Sequence, residues 1–317
     1  MAATQVPTRL ELPVDAASGL RRPNRFREYL PIYLSISPFY IIFAVFGLFP
    51  IGFSLYLAFH AWDGIGPMKY VGLEQFRYLL TDNAFWRSLL NTLEIWVIST
   101  IPMLFIAMVI AVLLNSNVRF RGFYRVAYFI PNITSLVAIA IIFGSVFANS
   151  YGLFNAFLHA VGLSEVQWLS DPWGIRVAIA VMVIWRWTGY NAIIYLAGLQ
   201  ALPGDLFEAA RIDGASAIQT FFRITVPMMR PIILFTVITS TIGGMQIFTE
   251  PQVLLPNPVA DGGGPGNAGQ TVVLYLYQQA FDNNQFGYGA AIGWGLFIVL
   301  IIFSIINWRL VQRPGRK

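Results

Sequence analysis

The sequence predicts an all-α integral membrane protein with six transmembrane helices. Three observations carry that expectation. Of 317 residues, 57% are hydrophobic and only 11% charged, whereas a soluble domain carries about 25% charged residues. Six apolar stretches are each long enough to cross a hydrocarbon core about 30 Å thick. The basic residues fall in alternate connecting segments, the pattern that fixes orientation in a bilayer.

Taken in order, residues 1–30 are a polar tail with Arg9, Arg21, Arg22, Arg25 and Arg27. The leader is too extended, and the apolar run after it too long, for a cleaved signal peptide. The spans are predicted near Pro38–Phe59, Ile95–Leu114, Tyr128–Ala148, Ile175–Leu199, Ile232–Thr249 and Gly287–Trp308. Pro50 and Pro102 fall inside spans, where neighbouring helices absorb a kink. Residues 31–310 form one membrane domain, and 311–317 a short basic tail. With the N-terminus inside, fifteen basic residues fall on the cytoplasmic side. Only Lys69, Arg77 and Arg87 fall in outer loops. Both termini are therefore expected in the cytoplasm.

One connecting segment is unlike the others. Residues 202–231 read LPGDLFEAARIDGASAIQTFFRITVPMMRP. Asp205 with Glu208 three residues on makes a capping-box pattern, and Ser216 with Gln219 makes a second. Gly214 between them suits the left-handed turn that stops a helix. Ile218, Phe221, Phe222 and Thr225 share a face at helical spacing. Pro227 is expected to end the second helix and Pro231 to open the next. The pattern gives a helix–Gly–helix knob between two spans.

The residues of that knob point to a family. Glu208-Ala209-Ala210, Asp213-Gly214-Ala215 and Ile224-Thr225-Val226-Pro227 resemble the EAA loop of ABC-importer permeases, in the maltose-permease-like sugar branch. Val226 stands where many members have Leu. The outer segments at Tyr70-Val71-Gly72-Leu73, Tyr151–Asn155, Trp168–Pro172 and Tyr275–Gly289 are similar to that family too, whereas the loop 257–270 carries an insertion at Val259–Asp261. The resemblance implies the type I importer permease fold, with 202–231 as its cytoplasmic coupling loop. Glu208, Ala209, Ala210, Asp213 and Gly214 are then the positions that couple to an ATPase. It further implies a second homologous permease subunit, an ABC ATPase dimer that uses ATP and Mg, and an external solute-binding protein. The location is a bacterial or archaeal cytoplasmic membrane, and the substrate a sugar, most simply a di- or oligosaccharide. Glycerol phosphate is the alternative within the class.

Other functions find little in the chain. The only lysines are Lys69 and Lys317, neither followed by Ser or Thr, so a phosphate-binding P-loop is missing. No cofactor is expected in this chain. The absence of cysteine excludes thiolate sites, and His60 and His159 stand far apart. Five arginines beside a span read as a topology signal rather than a nucleic-acid arm. A self-sufficient secondary carrier often shows two repeated halves, and the knob occurs once. An intramembrane enzyme needs a catalytic constellation inside a span, and none is visible.

Polar groups inside spans mark candidate sites, because lipid offers them no partner. Tyr190 and Asn191 lie in the fourth span. Gly243, Gln246 and Glu250 fall at i, i+3 and i+7 in the fifth, with Gly244 beside them. These six residues are the candidate substrate path. Glycine-mediated helix packing is the structural alternative for the fifth-span group. Arg186 reads as a structural cation, paired with Glu94 or Glu250 or reaching the outer surface, with direct substrate contact the alternative. Thr236, Thr239, Ser240 and Thr241 are expected to bond their own helix backbone.

Overall fold

A chain that crosses lipid must satisfy its backbone hydrogen bonds internally. The computed structural model describes residues 25–116, 119–255 and 263–311, and they are helical apart from loops and one short ribbon. Arg9, Arg21, Arg22, the insertion at Val259–Asp261 and the basic residues Arg313, Arg316 and Lys317 lie outside the described residues.

The chain divides at Ser54 into two units. α1 (Arg25–Phe43) passes through a π-helical turn at Ala44–Leu48 into α2 (Phe49–Ala58), whose last residues, from Leu55, already count with the second unit. Pro50 cannot donate to the carbonyl one turn back, and the widened turn falls at that place. Such turns relieve breaks in the helical ladder. Tyr29–Ala58 is long and apolar enough to span a membrane.

The second unit continues with an antiparallel ribbon of β1 (His60–Ala61) and β2 (Lys69–Tyr70), then α3 (Glu74–Thr81) and α4 (Asn83–Asn115). α5 (Arg121–Ile133), α6 (Leu136–Val146) and the short α7 (Leu153–Ala160) lead to α8 (Pro172–Gln200). The knob is α9 (Gly204–Ile212), α10 (Ala217–Thr220), a π-turn at Phe221–Thr225 and α11 (Val226–Met228). α12 (Arg230–Met245), α13 (Thr249–Leu254), α14 (Val272–Tyr277) and α15 (Phe286–Val311) complete the chain.

α4 and α8 are the central pair. Ala107 and Ala111 of α4 and Ala192 of α8 are buried in one cluster with Tyr195, Leu196, Leu199 and Met229. Small residues let helix backbones approach where no hydrophobic force separates helix from lipid. Gly189 takes this furthest: a Cβ there would lie 1.7 Å from the Tyr128 carbonyl oxygen of α5. Asp82 ties α4, α14 and α15 together at one end of the bundle. One carboxylate oxygen caps α4 by accepting from Ala84 N at 2.9 Å; the other accepts from the hydroxyls of Tyr275 on α14 and Tyr288 on α15.

The spans differ from expectation in four places. The first begins at Tyr29 rather than Pro38. The second begins at Asn83 rather than Ile95. Its extra turns carry Ser88, Asn91 and Thr92, which are buried against protein rather than lipid. Asn91 Nδ2 donates to the carbonyls of Asn267 at 2.6 Å and Gln270 at 3.2 Å, and Thr92 Oγ1 accepts from Val272 N at 3.0 Å. The third span is not straight, since α5 and α6 meet at 95°. Thr134 and Ser135 are extended between them, three and four residues past Pro131. The fifth is also bent, by 68° where α11 meets α12, and its helix stops at Met245 instead of Thr249. Four helices are therefore continuous candidates for crossing a membrane, and six spans result when each bent pair counts as one.

Candidate functional site

Where α12 stops, the backbone leaves helical geometry at Gln246 (φ −110°, ψ 15°) and Phe248 (φ −136°), then restarts as α13. Glu250 therefore does not continue the face of Gly243 and Gln246 along one helix, as the i, i+3, i+7 spacing suggested. It belongs to α13, which packs on α6 and α8. The turn nonetheless returns it to the same place. Tyr190, Asn191, Gly243, Gly244, Gln246 and Glu250 all line one cavity of about 490 Å³. Its floor and walls come from α4 (Thr100, Met103), α6 (Leu136), α8 and α12.

The α8 wall is a helical stripe. Val183, Trp187, Tyr190 and Asn191 follow the spacing that puts side chains on one face. The Trp187 and Tyr190 rings meet edge to face with centroids 5.6 Å apart, and both rings stay partly exposed toward the cavity. Asn191 is buried, with its amide nitrogen bonded to Trp187 O at 3.0 Å. That leaves its oxygen as an acceptor. Thr239 bonds the Phe235 carbonyl at 2.8 Å, and Thr241 that of Val237 at 2.7 Å. Thr236 bonds Ile233 O at 2.9 Å and also meets the Tyr195 hydroxyl at 2.7 Å. For these three threonines these are the helix-backbone partners the sequence suggested; Ser240 makes no such bond among the described residues and lines the cavity. The two glycines differ. Gly243 has nothing within 4 Å of a would-be Cβ, whereas a Cβ at Gly244 would strike Trp96 at 2.5 Å. Gly243 gives the cavity room, and Gly244 admits the indole.

Sequence reasoning overlooked Trp187, Phe248 and Leu136. Trp187 was within reach, three residues before Tyr190. Phe248 and Leu136 follow from the break after Met245 and the 95° bend, which hydropathy does not reveal. Arg186 pairs with neither expected carboxylate. Glu94 instead meets Arg176 at 2.8 Å, and Arg176 Nη2 donates to Asn91 Oδ1 at 2.8 Å. Arg186 lies over the Trp187 ring, 5.6 Å from its centroid. Its Nε and Nη1 are buried without hydrogen-bond partners among the described residues.

In the knob, Gly214 has φ +74°, and Ala215 N bonds Ala210 O at 2.9 Å, the left-handed helix stop expected of glycine. The Ser216–Gln219 capping box closes in both directions, at 2.9 and 3.3 Å. The Asp205–Glu208 box does not form. α9 starts two residues early, at Gly204 behind Pro203 rather than after Asp205, so Asp205 is already inside the first turn. Pro227 does not end the second helix either. The π-turn at Phe221–Thr225 widens the ladder ahead of it, and the helix runs on to Met228 before Pro231 helps open α12. That turn also shifts the phase of the predicted apolar face. Thr225 is buried and Phe221 half-buried, while Ile218 and Phe222 are exposed. With Ile212, these two give the knob an apolar exterior beside exposed Glu208, Ala209, Asp213 and Gly214; Ala210 is buried.

Known proteins share this pattern. The family profile of the binding-protein-dependent transport system inner membrane component matches residues 82–315. The lactose transport system permease protein of Rhizobium radiobacter is 36% identical over 280 residues, covering 87% of this chain and 92% of that protein. An arabinooligosaccharides transport system permease protein of Bacillus subtilis is 37% identical over 280 residues, covering 88% and 87%. The trehalose/maltose transport system permease protein of Thermococcus litoralis is 31% identical, covering 91% and 96%. Among solved structures, a bacterial ABC transporter involved in alginate import aligns with TM-score 0.77 over 92% of this chain and 98% of that one, at 21% identity. The same fold recurs, with TM-score 0.78 and 22% identity, in the alginate transporter complexed with its pentasaccharide-bound periplasmic protein. The two bent spans around a continuous α4–α8 pair are thus the type I importer permease fold. On this sequence identity and coverage, the chain belongs to the binding-protein-dependent transport system inner membrane component family.

Proposed function

We propose that this chain is the sugar-conducting transmembrane subunit of an ATP-driven importer, with a di- or oligosaccharide as substrate. The observation that carries the reading is the cavity between α8 and α12. It combines two aromatic rings, Trp187 and Tyr190, with the amides of Asn191 and Gln246, the hydroxyls of Thr239 and Ser240, and one carboxylate, Glu250. Aromatic faces suit the C–H surface of a sugar ring, and amides both donate and accept toward hydroxyls. The names of the lactose, arabinooligosaccharide and trehalose/maltose relatives support the same substrate class. Glycerol phosphate fits less well, because no lysine or arginine lines the cavity and a phosphate needs cationic donors.

In this reading a second homologous permease completes the path, and a solute-binding protein delivers sugar from outside. An ABC ATPase dimer, which uses ATP and Mg, receives the knob formed by α9, Gly214 and α10. Glu208, Ala209 and Asp213 contact it, and Ala210 and Gly214 hold the turn. The basic asymmetry places the knob and both termini in the cytoplasm.

The test is uptake of labelled lactose, arabinotriose and trehalose by membranes holding the complete importer. Tyr190→Ala and Gln246→Ala each remove one contact, so uptake at limiting sugar falls by about 5–30-fold, the equivalent of about 1–2 kcal/mol. Insertion and subunit assembly stay normal. Wild-type uptake of all three sugars by the double variant would exclude this cavity as the path.

A further inference from the structure

A second cavity, of about 440 Å³, lies at the bundle end that the charge pattern places outside. It falls inside the range of about 300–1,000 Å³ typical of small-ligand sites. Two chain segments, far apart in sequence, build it. One is the ribbon loop that carries Trp62, Asp63 and Gly66, with Gln75 on α3. The other is the lead-in to α15 with Asn284 and Gln285, followed by Gly287 and Tyr288 in its first turn.

Backbone contacts fasten the two together. Phe286 N donates to Trp62 O at 3.1 Å. A Cβ on Gly287 would lie 1.9 Å from His60 O, and one on Gly64 would lie 2.6 Å from the Phe286 ring. The side chains are held as well. Trp62 donates its indole N–H to Gly66 O at 2.9 Å and packs against Phe286 with centroids 5.5 Å apart. Asp63 Oδ1 accepts from the amides of Ile65 at 3.1 Å and Gly66 at 2.9 Å. These backbone donors hold its carboxyl below the usual carboxylate range. A site ordered before its ligand arrives spends little binding energy on ordering.

The chemistry of the lining is narrow. Three carboxamides (Gln75, Asn284 and Gln285) offer donors and acceptors together, and Asp63 offers acceptors. Trp62, which is half-buried, supplies the aromatic surface, while Tyr288 is buried behind it in the core, and no lysine or arginine lines the cavity. An anion finds no cation here, and a metal ion finds one carboxylate. A neutral polyhydroxy ring finds both a platform and partners for its hydroxyls. We propose that this cavity is a second carbohydrate subsite, which holds a sugar at the outer mouth before it enters the path between α8 and α12. The inference rests on the reading of the chain as a sugar permease.

The test uses the purified full-length chain in lipid nanodiscs, with lactose, trehalose and arabinotriose as probes. Saturation-transfer NMR reports sugar contact directly and without ATP. The variant Tyr190→Ala/Gln246→Ala empties the central cavity and should keep a transfer signal to at least one probe. Adding Trp62→Ala should weaken that remaining binding about ten-fold, the loss of one well-placed contact set. Gln285→Leu with Asn284→Gly, which keeps the positive φ of 54° at residue 284, should do the same without disturbing the Trp62 packing. The subsite is refuted if the central variant alone abolishes the signal, if both outer variants leave it unchanged, or if wild type gives no signal with any probe. It is equally refuted if the outer variants weaken capture of the loaded binding protein but not the sugar signal, since the cavity is then a protein-docking surface. The central path is judged separately by uptake, so its failure is not mistaken for failure of the outer subsite.

Discussion

At the scale of single residues, glycines with the same letter do opposite work. Gly189 is pressed onto the Tyr128 carbonyl, 1.7 Å from where a Cβ would sit, while Gly243 faces open space in the cavity. Gly189→Ala should destabilise the protein by at least about 1–3 kcal/mol, the usual range for overpacking, because a backbone carbonyl cannot swing aside as a side chain does. Gly243→Ala should leave stability level or slightly raised, since alanine favours the helix by about 1 kcal/mol. It should still reduce uptake of the larger sugars by narrowing the cavity. Thermal unfolding in detergent beside an uptake assay separates the two, and equal melting points would contradict the packing argument. The arginines make a similar contrast. Arg176 is paired with Glu94 and Asn91, whereas Arg186 lies over an indole with two buried nitrogens that meet no partner among the described residues. Their sequence neighbourhoods do not announce this, because the partner is chosen by which helix face the α4–α8 packing turns inward.

At the scale of elements, the knob is the part most legible in sequence. Its glycine stop and its second capping box follow from local chemistry, which needs no tertiary partner. The first box fails because Pro203 lets the helix begin at Gly204, one residue ahead of the Asp. That failure sharpens a prediction. Glu208 is exposed and caps nothing in the structure, so Glu208→Ala should leave local helix stability unchanged. A loss of transport in that variant at normal expression would then report contact with the ATPase. Gly214 sits at φ +74° with nothing within 4 Å of a would-be Cβ, so Gly214→Val strains only the backbone. It should insert normally while uptake and sugar-stimulated ATP hydrolysis fall together. Normal transport by Gly214→Val would remove the knob from the coupling path.

At the scale of the whole molecule, the basic residues and the fold make a joint statement about sides. The loops near Ile65 and near Ile212 lie at opposite ends of the continuous helices, and these two side chains are 96% and 86% exposed. The chain has no cysteine, so Ile65→Cys and Ile212→Cys provide single reporters. A membrane-impermeant maleimide should label Ile65→Cys on intact cells and Ile212→Cys only on inverted vesicles. Labelling of both from outside would break the proposed orientation.

The sequence by itself determined the class, the number and order of apolar spans and the knob. Each of these rests on composition or on contacts within a few residues. Hydropathy sums transfer energy along the chain, so it finds both ends of Pro172–Gln200 and Phe286–Val311 within a turn of helix. It is blind to direction, and the 95° and 68° bends therefore belong to the tertiary structure alone. The same limit explains α4. Ser88, Asn91 and Thr92 read as loop because they are polar, yet they are helical because the segment 267–272 supplies their partners across about 180 positions of sequence. The six residues proposed for the substrate path were chosen by chemistry. Only the stop after Met245 and the return of α13 against α6 and α8 brought Glu250 to the cavity that the other five line. A long-range turn decides which side chains share a space, and no local propensity encodes it.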